Sequence, residues 1–289
     1  MVVGREESDQ QGRKSNEHHD GVDQLCISHI SARLFTRHLY TQIEMVSICF
    51  ARDGYNLVLV ASNQKHLMQI ANELQEKYSV SVKVPAKDLS AASAPEEIFT
   101  ELQQESRGVD ALVNNAGFAA YGLFAETNLE AELQMMQVNM VTLTYLTKLF
   151  LPGMLHKRTG KIVNLASTAA FEPGPLMAVY YATKAYVLSF SEALANELHG
   201  TGVSVTALCP GPTASGFQKK AHMEDSKLFS GKIMDAQTVA RIGYRGLMTN
   251  KTVVIPGLRN KILVEGERFV PRKMVTRMAR SMQESVHKS

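Results

Sequence analysis

Glycine is missing from a long stretch near the start of the chain: none falls between Gly21 and Gly54. Cysteine is scarce as well. Cys26, Cys49 and Cys209 lie far apart without metal-ligand spacing, which argues against a disulfide framework or zinc site and for free thiols in a reducing compartment. No apolar stretch reaches the roughly 18 residues needed to span a bilayer. The N-terminus carries acids and histidines where a secretory signal would have an apolar run. Excess charge of one sign is also lacking: 31 basic residues stand against 28 acidic ones, a net charge of +3. That balance, with no long basic run, excludes an obvious nucleic-acid surface. Together these absences describe a soluble intracellular protein, expected in the cytoplasm.

What is present is enough apolar sequence, 45% of 289 residues, to bury a full core. Residues 1–24 are polar and charged, and are expected to be disordered. Residues 25–43 are ambiguous, with His29, Arg33, Arg37 and His38 among scattered apolar residues. From residue 44 the pattern is regular. Short apolar runs recur at 55–60, 80–84, 110–115, 161–167, 203–209 and 252–257, and the first five are each followed by helical periodicity. Near-continuous apolar strands alternating with helices predict a parallel sheet covered on both faces, in one doubly wound α/β domain. No internal repeat of 20–50 residues interrupts it.

The stretch VYYATKAYVLSF places Tyr180 and Lys184 one helical turn apart on one face. An ammonium beside a phenol favours the phenolate, so the pKa of Tyr180 is expected to fall toward working pH, making it a candidate acid/base. Ser167 ends the run KIVNLAS, at the sheet edge where open α/β folds bind ligands. VNNAG (113–117) and CPGPT (209–213) end two further strands with ligand-type loops. Each residue has a plain structural reading too: Asp88 could cap a helix, and Asn139 could be a buried polar group of a helix.

As a set, Asp88, Asn114-Asn115-Ala116-Gly117, Asn139, Ser167, Tyr180, Lys184 and Pro210-Gly211 occur in the order that resembles the short-chain dehydrogenase/reductase family, over about residues 44–257. The resemblance implies a Rossmann-like fold and a metal-free hydride transfer between a nicotinamide cofactor and a carbonyl/alcohol pair. Tyr180 would be general acid or base, and Lys184 would lower its pKa and bind the nicotinamide ribose. Ser167 would polarise the substrate oxygen, and Asn139 would hold a relay water. Asp88 would meet the adenine, and Asn114, Ala116 and Gly117 the adenosine ribose and diphosphate side. Pro210, Gly211 and Thr213 would meet the nicotinamide.

The departure from the family pattern is local. A Thr-Gly-x-x-x-Gly-x-Gly turn should fall on Thr36 to Ile43, yet its glycine positions hold Arg37, Thr41 and Ile43. Such residues oppose close backbone approach to a diphosphate. The run ending in Ser62 and Asn63 lacks the acid that would take a ribose 2′-hydroxyl, which favours NADP(H) over NAD(H), with Lys65 a partial substitute for an arginine. The first reading is therefore an NADP(H)-dependent oxidoreductase. The alternative is a catalytically impaired or non-catalytic binding protein lacking the diphosphate cradle.

Phe118, Tyr121, Phe171, Met177, Val179 and Phe217 flank the site and predict an apolar pocket for a small carbonyl or alcohol, or ordinary core packing. Residues 214–234 fall where the family carries a substrate-covering loop. The resemblance also implies a homodimer or homotetramer through the helices that carry Met135, Met136, Leu146 and Leu149, and Tyr186, Leu188 and Leu194. Met274, Met278 and Met282 share one face of a C-terminal helix. That pattern is compatible with a membrane surface, but a helix packed on its own domain explains it as well and is the expectation.

Overall fold

Strands that are apolar at every position must be covered on both faces, and the chain meets that demand. The structure, a computed structural model, describes residues 1–4, 42–61, 64–105, 108–214 and 233–284. Its elements begin with β1 (Val2–Gly4), α1 (Gln42–Arg52), β2 (Asn56–Val58), α2 (Gln64–Tyr78), β3 (Val82–Lys83) and α3 (Ala94–Gln104). There follow β4 (Ala111–Asn114), α4 (Leu129–Met136), a π-helical turn (Gln137–Thr142), α5 (Leu143–Lys157) and β5 (Gly160–Leu165). A 3₁₀ turn (Thr168–Ala170), α6 (Ala178–Glu197), β6 (Val203–Leu208), β7 (Thr213–Ala214) and β8 (Met234–Asp235) come next. The chain closes with α7 (Ala236–Met248), β9 (Val253–Val254), α8 (Leu258–Glu267) and α9 (Arg272–Gln283).

The main sheet has the order β3-β2-β1-β4-β5-β6-β9, and every pairing that does not involve β1 is parallel. Side chains alternate across it. Leu57, Leu59, Ala111, Val113 and Val163 pack with Met45, Phe50, Tyr244 and Leu247 on the α1/α7 side. Val58, Val60, Leu112 and Ile162 pack with Ile98, Phe150, Met154 and Leu194 on the α3/α5/α6 side. Phe50 anchors the first layer edge-to-face between Tyr55 (5.4 Å) and Tyr244 (4.9 Å). Helix ends are capped by short polar side chains: Asn128 accepts from the Ala131 amide (2.9 Å) and Asp235 from the Thr238 amide (2.7 Å).

The structure differs from expectation at the first residues. Val2–Gly4 is not a disordered polar start but a strand, pairing antiparallel with both β2 (Val2 opposite Val58) and β4 (Val2 opposite Leu112). The apolar pair Val2-Val3 fills the slot between two buried strands that would otherwise face each other with unpaired backbone groups. The remainder of 1–24, and residues 25–41 of the atypical segment, lie outside the described residues, as does Phe217. Of the side chains on the helices expected to pair between copies, Met135, Leu146, Leu188 and Leu194 are buried in their own chain, and Met136 and Tyr186 are exposed.

A chain of buried side-chain hydrogen bonds crosses the middle of the sheet. Asn114 on β4 donates to Thr147 on α5 (3.1 Å) and to Asn164 on β5 (2.9 Å), and Asn164 donates to Ser191 on α6 (2.9 Å). Because Asn164 is fully buried, Asn164→Ala should remove two buried bonds and open a void. Urea denaturation should show a loss of about 2–4 kcal/mol of stability.

Candidate functional site

β4, β5 and β6 are parallel and end at one edge, so their following loops meet there. Backbone bonds fasten the loops: the Ala166 amide donates to Leu208 O (2.8 Å) and the Thr168 amide to Pro210 O (2.9 Å). Ser167 opens the 3₁₀ turn, its Oγ accepting from the Ala169 amide (3.1 Å) and lying 3.4 Å from Pro210 O. The same hydroxyl hydrogen-bonds the Tyr180 phenol. The structure thus brings together Ser167 and Tyr180, which the sequence places at a strand end and a helix start.

Tyr180 and Lys184 lie on α6 with only 9% and 4% of their surface exposed. Lys184 Nζ donates to Leu165 O at 2.7 Å and sits 5.7 Å from the centre of the Tyr180 ring. Burial governs both groups. It pushes the Tyr180 phenol up to about 12, against the opposing pull of the Ser167 hydrogen bond. It lowers Lys184 to about 8. The expected depression of the Tyr180 pKa by Lys184 is not seen: burial raises the phenol, and Ser167, not Lys184, supplies the opposing pull.

Asn139 lies in the π-helical turn, a local widening often found at functional sites. Its Oδ1 accepts from the Phe118 amide (3.2 Å), and its Nδ2 donates to Phe118 O (3.1 Å) and Thr183 Oγ1 (3.0 Å). Thr142, closing the turn, donates to Leu89 O (2.8 Å). Gly117 is required here: a Cβ on it would lie 3.0 Å from Asn139 Oδ1 and 3.5 Å from Lys184 Nζ. The space between Gly117, Asn139 and Lys184 exists because that side chain is absent.

The other sequence-predicted residues divide. Ala116 and Gly117 are exposed at the edge. Pro210 is tied to Ser167 and Thr168 as above, and a Cβ on Gly211 would come 2.6 Å from Asn260 Nδ2 of α8. Thr213 turns its hydroxyl back to Gly211 O (2.9 Å). Asn114 sends its side chain into the core network instead of the edge. Asp88 is exposed and closes a turn on Ser90, accepting from its amide (2.9 Å) and hydroxyl (2.8 Å), bonds that hold its carboxyl below the usual range.

At this edge the catalytic side fits the nicotinamide half of the implied cofactor: the opening at Gly117 is lined by a buried amine and a carboxamide. The diphosphate half fits poorly among the described residues. β1 runs against β4, so its start and not its end lies at the ligand edge. The first turn of α1 carries Glu44, only 3% exposed and paired with His66 Nε2 at 2.6 Å. A buried carboxylate at a helix N-terminus stands in the kind of place that favours a phosphate. A shallow crevice runs from Met1, Val60 and Leu89 to Asn115 and Ala116. Ser62 and Asn63 lie outside the described residues.

Sequence reasoning missed what covers the site. Tyr121 donates to Gln283 O at the end of α9 (2.9 Å) and packs with Tyr181, whose ring meets Tyr180 edge-on at 6.0 Å. Phe118, Tyr121 and Val179 pack against Met177 and Tyr180 as expected, while Phe171 joins a separate cluster with Val187 and Leu188. Near Tyr181, burial and the neighbouring Glu267 push Glu172 up to about 7. Glu172 could have been suspected from its place in the apolar run AAFEPGPLM.

The pattern of the short chain dehydrogenases matches residues 44–226. The NADP-dependent 3-hydroxy acid dehydrogenase YdfG of Escherichia coli is 34% identical over 172 residues, 58% of this chain and 66% of that protein. A short-chain dehydrogenase from Sphingobium yanoikuyae, solved in complex with NADPH, superposes with a TM-score of 0.72 at 28% identity, over 79% of this chain and 90% of that one. The bulky-bulky ketone specific alcohol dehydrogenase from Comamonas testosteroni does so with a TM-score of 0.67 at 27% identity, over 79% and 88%. With its parallel sheet, flanking helices and matched sequence pattern, the chain belongs to the short-chain dehydrogenase family of oxidoreductases.

Proposed function

We propose that the chain interconverts a carbonyl and an alcohol with NADP(H), using Ser167, Tyr180, Lys184 and Asn139. The observation that carries this reading is the contact of Ser167 with Tyr180, one turn from a buried Lys184 whose amine faces the opening at Gly117. Ser167 orients the substrate oxygen. Tyr180, kept protonated by burial, gives that oxygen a proton in the reductive direction. Lys184, lowered to about 8, is close enough to neutral pH to exchange protons, and Asn139 fixes the Gly117–Phe118 loop against it. When bound, a nicotinamide supplies the hydride. The NADPH complex of the Sphingobium relative and the NADP-dependent Escherichia coli relative support NADP(H) over NAD(H), and the ketone-specific Comamonas relative supports an apolar carbonyl substrate. Assembly into a homo-oligomer in the cytoplasm, with exposed Met136, Val141, Tyr145 and Tyr186 as the contact face, completes the reading.

One observation favours the competing reading of a non-catalytic relative: the Glu44–His66 pair at the head of α1. Titration of the full chain with NADPH and NADH, followed by nicotinamide fluorescence, separates the two. Catalysis requires NADPH to bind in the micromolar range and more tightly than NADH; absence of binding up to millimolar concentrations leaves the non-catalytic reading standing. In a binding-competent chain, Tyr180→Phe should lower turnover by about 10²–10⁴-fold with an unchanged melting temperature.

Glu172 gives the fold a pH dependence of known sign. Its folded-state pKa is raised from the usual 4.5 to about 7 by burial first and by Glu267 second. A carboxyl with a raised pKa binds its proton more tightly when folded, so stability falls as pH rises from 4.5 through 7. Glu172→Gln keeps the neutral form at every pH. Thermal melts should show the variant gaining on the parent across that interval, with no further gain at higher pH.

A further inference from the structure

The strongest unexplained surface lies on α8, α9 and the turn between them, beyond the residues that match the family pattern. On α8 the buried side is Val264, with Glu267 half-buried. At 100° per residue, Leu258 and Ile262 project from the opposite side. They are 75% and 62% exposed, and Phe269, in the turn that follows, is 89% exposed. On α9 the stripe Val275, Ala279 and Gln283 docks on the domain, while Met274, Met278 and Met282 beside it stay about half exposed. A single exposed leucine is ordinary, but an outward row of Leu, Ile and Phe continued by three methionines is a contact surface.

The charge around it identifies the partner. Residues 258–284 carry seven basic side chains, Arg259, Lys261 and Arg268 on or beside α8 and Arg272, Lys273, Arg277 and Arg280 on α9. Only Glu265, Glu267 and Glu284 oppose them, so the segment holds a net +4 where the whole chain holds +3. Arg268 and Arg280 pair with Glu265 and Glu284. Arg259, Lys261, Arg272, Lys273 and Arg277 have no ion pair among the described residues.

We propose that α8 and α9 form an interfacial surface that binds anionic phospholipid bilayers, inserting Leu258, Ile262, Phe269 and the methionine stripe while the basic side chains meet the headgroups. No helix among the described residues is long and apolar enough to cross a membrane, so the attachment is peripheral. A second copy of the chain fits less well, because a two-fold contact would set one +4 surface against another. A nucleic acid would leave the outward leucine, isoleucine and phenylalanine without a role. Through the backbone carbonyl of Gln283, α9 holds Tyr121, which packs on the cluster of Tyr180 and Tyr181 and so joins the surface to the candidate site. The inference stands apart from the catalytic reading.

The test is co-sedimentation of the full chain with vesicles of phosphatidylcholine alone, or with a third of the lipid replaced by phosphatidylglycerol. The chain should partition onto the anionic vesicles at low salt, at least tenfold more than onto neutral ones, and be released by molar salt. Ile262→Asp with Phe269→Asp should abolish binding. Arg272→Glu with Arg277→Glu should weaken it by more than tenfold, since each basic residue near an anionic surface contributes about fivefold in partitioning. Unchanged melting temperatures show that the exposed substitutions leave the fold intact. Failure to bind anionic vesicles at low salt, or unchanged binding by both double variants, overturns the proposal. So does light scattering that shows Phe269→Asp splitting a dimer while vesicle binding persists, which would assign the surface to a second copy.

Discussion

The candidate site hangs on the carboxamide of Asn139. A π-helical turn costs regular α-helical bonds between α4 and α5, and the widening presents this side chain between the loop after β4 and the start of α6. Three hydrogen bonds, two to the Phe118 backbone and one to Thr183, offset that cost. The same turn reaches Leu89 O through Thr142, so the loop after β3 is tied to it as well. Three separate chain segments thereby take one register. The opening at Gly117 and the position of Lys184 across from it both follow from that register, since a Cβ at 117 would touch both groups.

Burial is the second organising force, and among the buried groups at and around the site it outweighs pairing in setting protonation. Tyr180, Cys209 and Glu172 are all pushed toward their neutral acids and Lys184 toward its neutral amine, with desolvation the leading cause in each case. The interior around these groups penalises the charged form of each of them. Lys184 satisfies one of its donors on Leu165 O. Burial is what holds the tyrosine above its usual pKa, while the lysine amine stands 5.7 Å from its ring centre and bonds Leu165 O.

Much of this was readable in the residues. The parallel strands announced themselves because positions such as Leu57-Val58 and Leu112-Val113 alternate between two buried layers, which leaves no polar position in the run. Ser167, Tyr180 and Lys184 were readable because a strand end and one helical turn fix their separation. The direction of a side chain at a strand end was not: Asn114 and Asn115 are chemically identical, and only the three-dimensional partners Thr147 and Asn164 draw the first inward. The cover over the site escaped for a different reason. Tyr121 and Gln283 are 162 residues apart, and no local pattern reports such a pairing. Which helix face meets the sheet was not readable either, because Leu146, Leu188 and Leu194 look alike whether they meet their own sheet or another copy.

The reversed first strand separates two tasks that one segment performs in a parallel sheet of this kind. The slot between β2 and β4 must be filled to satisfy the backbone on both sides, and Val2–Gly4 fills it by antiparallel pairing. Because Val3 lies opposite Ala111 and Val2 opposite Leu112, the chain travels away from the edge where β4, β5 and β6 deliver their ligand loops. Completing the ladder is therefore achieved without aiming a turn at a phosphate. α1 does not need that turn to hold its place, since Phe50 wedged between Tyr55 and Tyr244 fixes it against the sheet and α7. Its first turn instead receives a carboxylate from its own sequence, Glu44, buried and paired with His66. Among the described residues, hydrophobic packing and strand pairing thus complete the fold without a turn aimed at a phosphate.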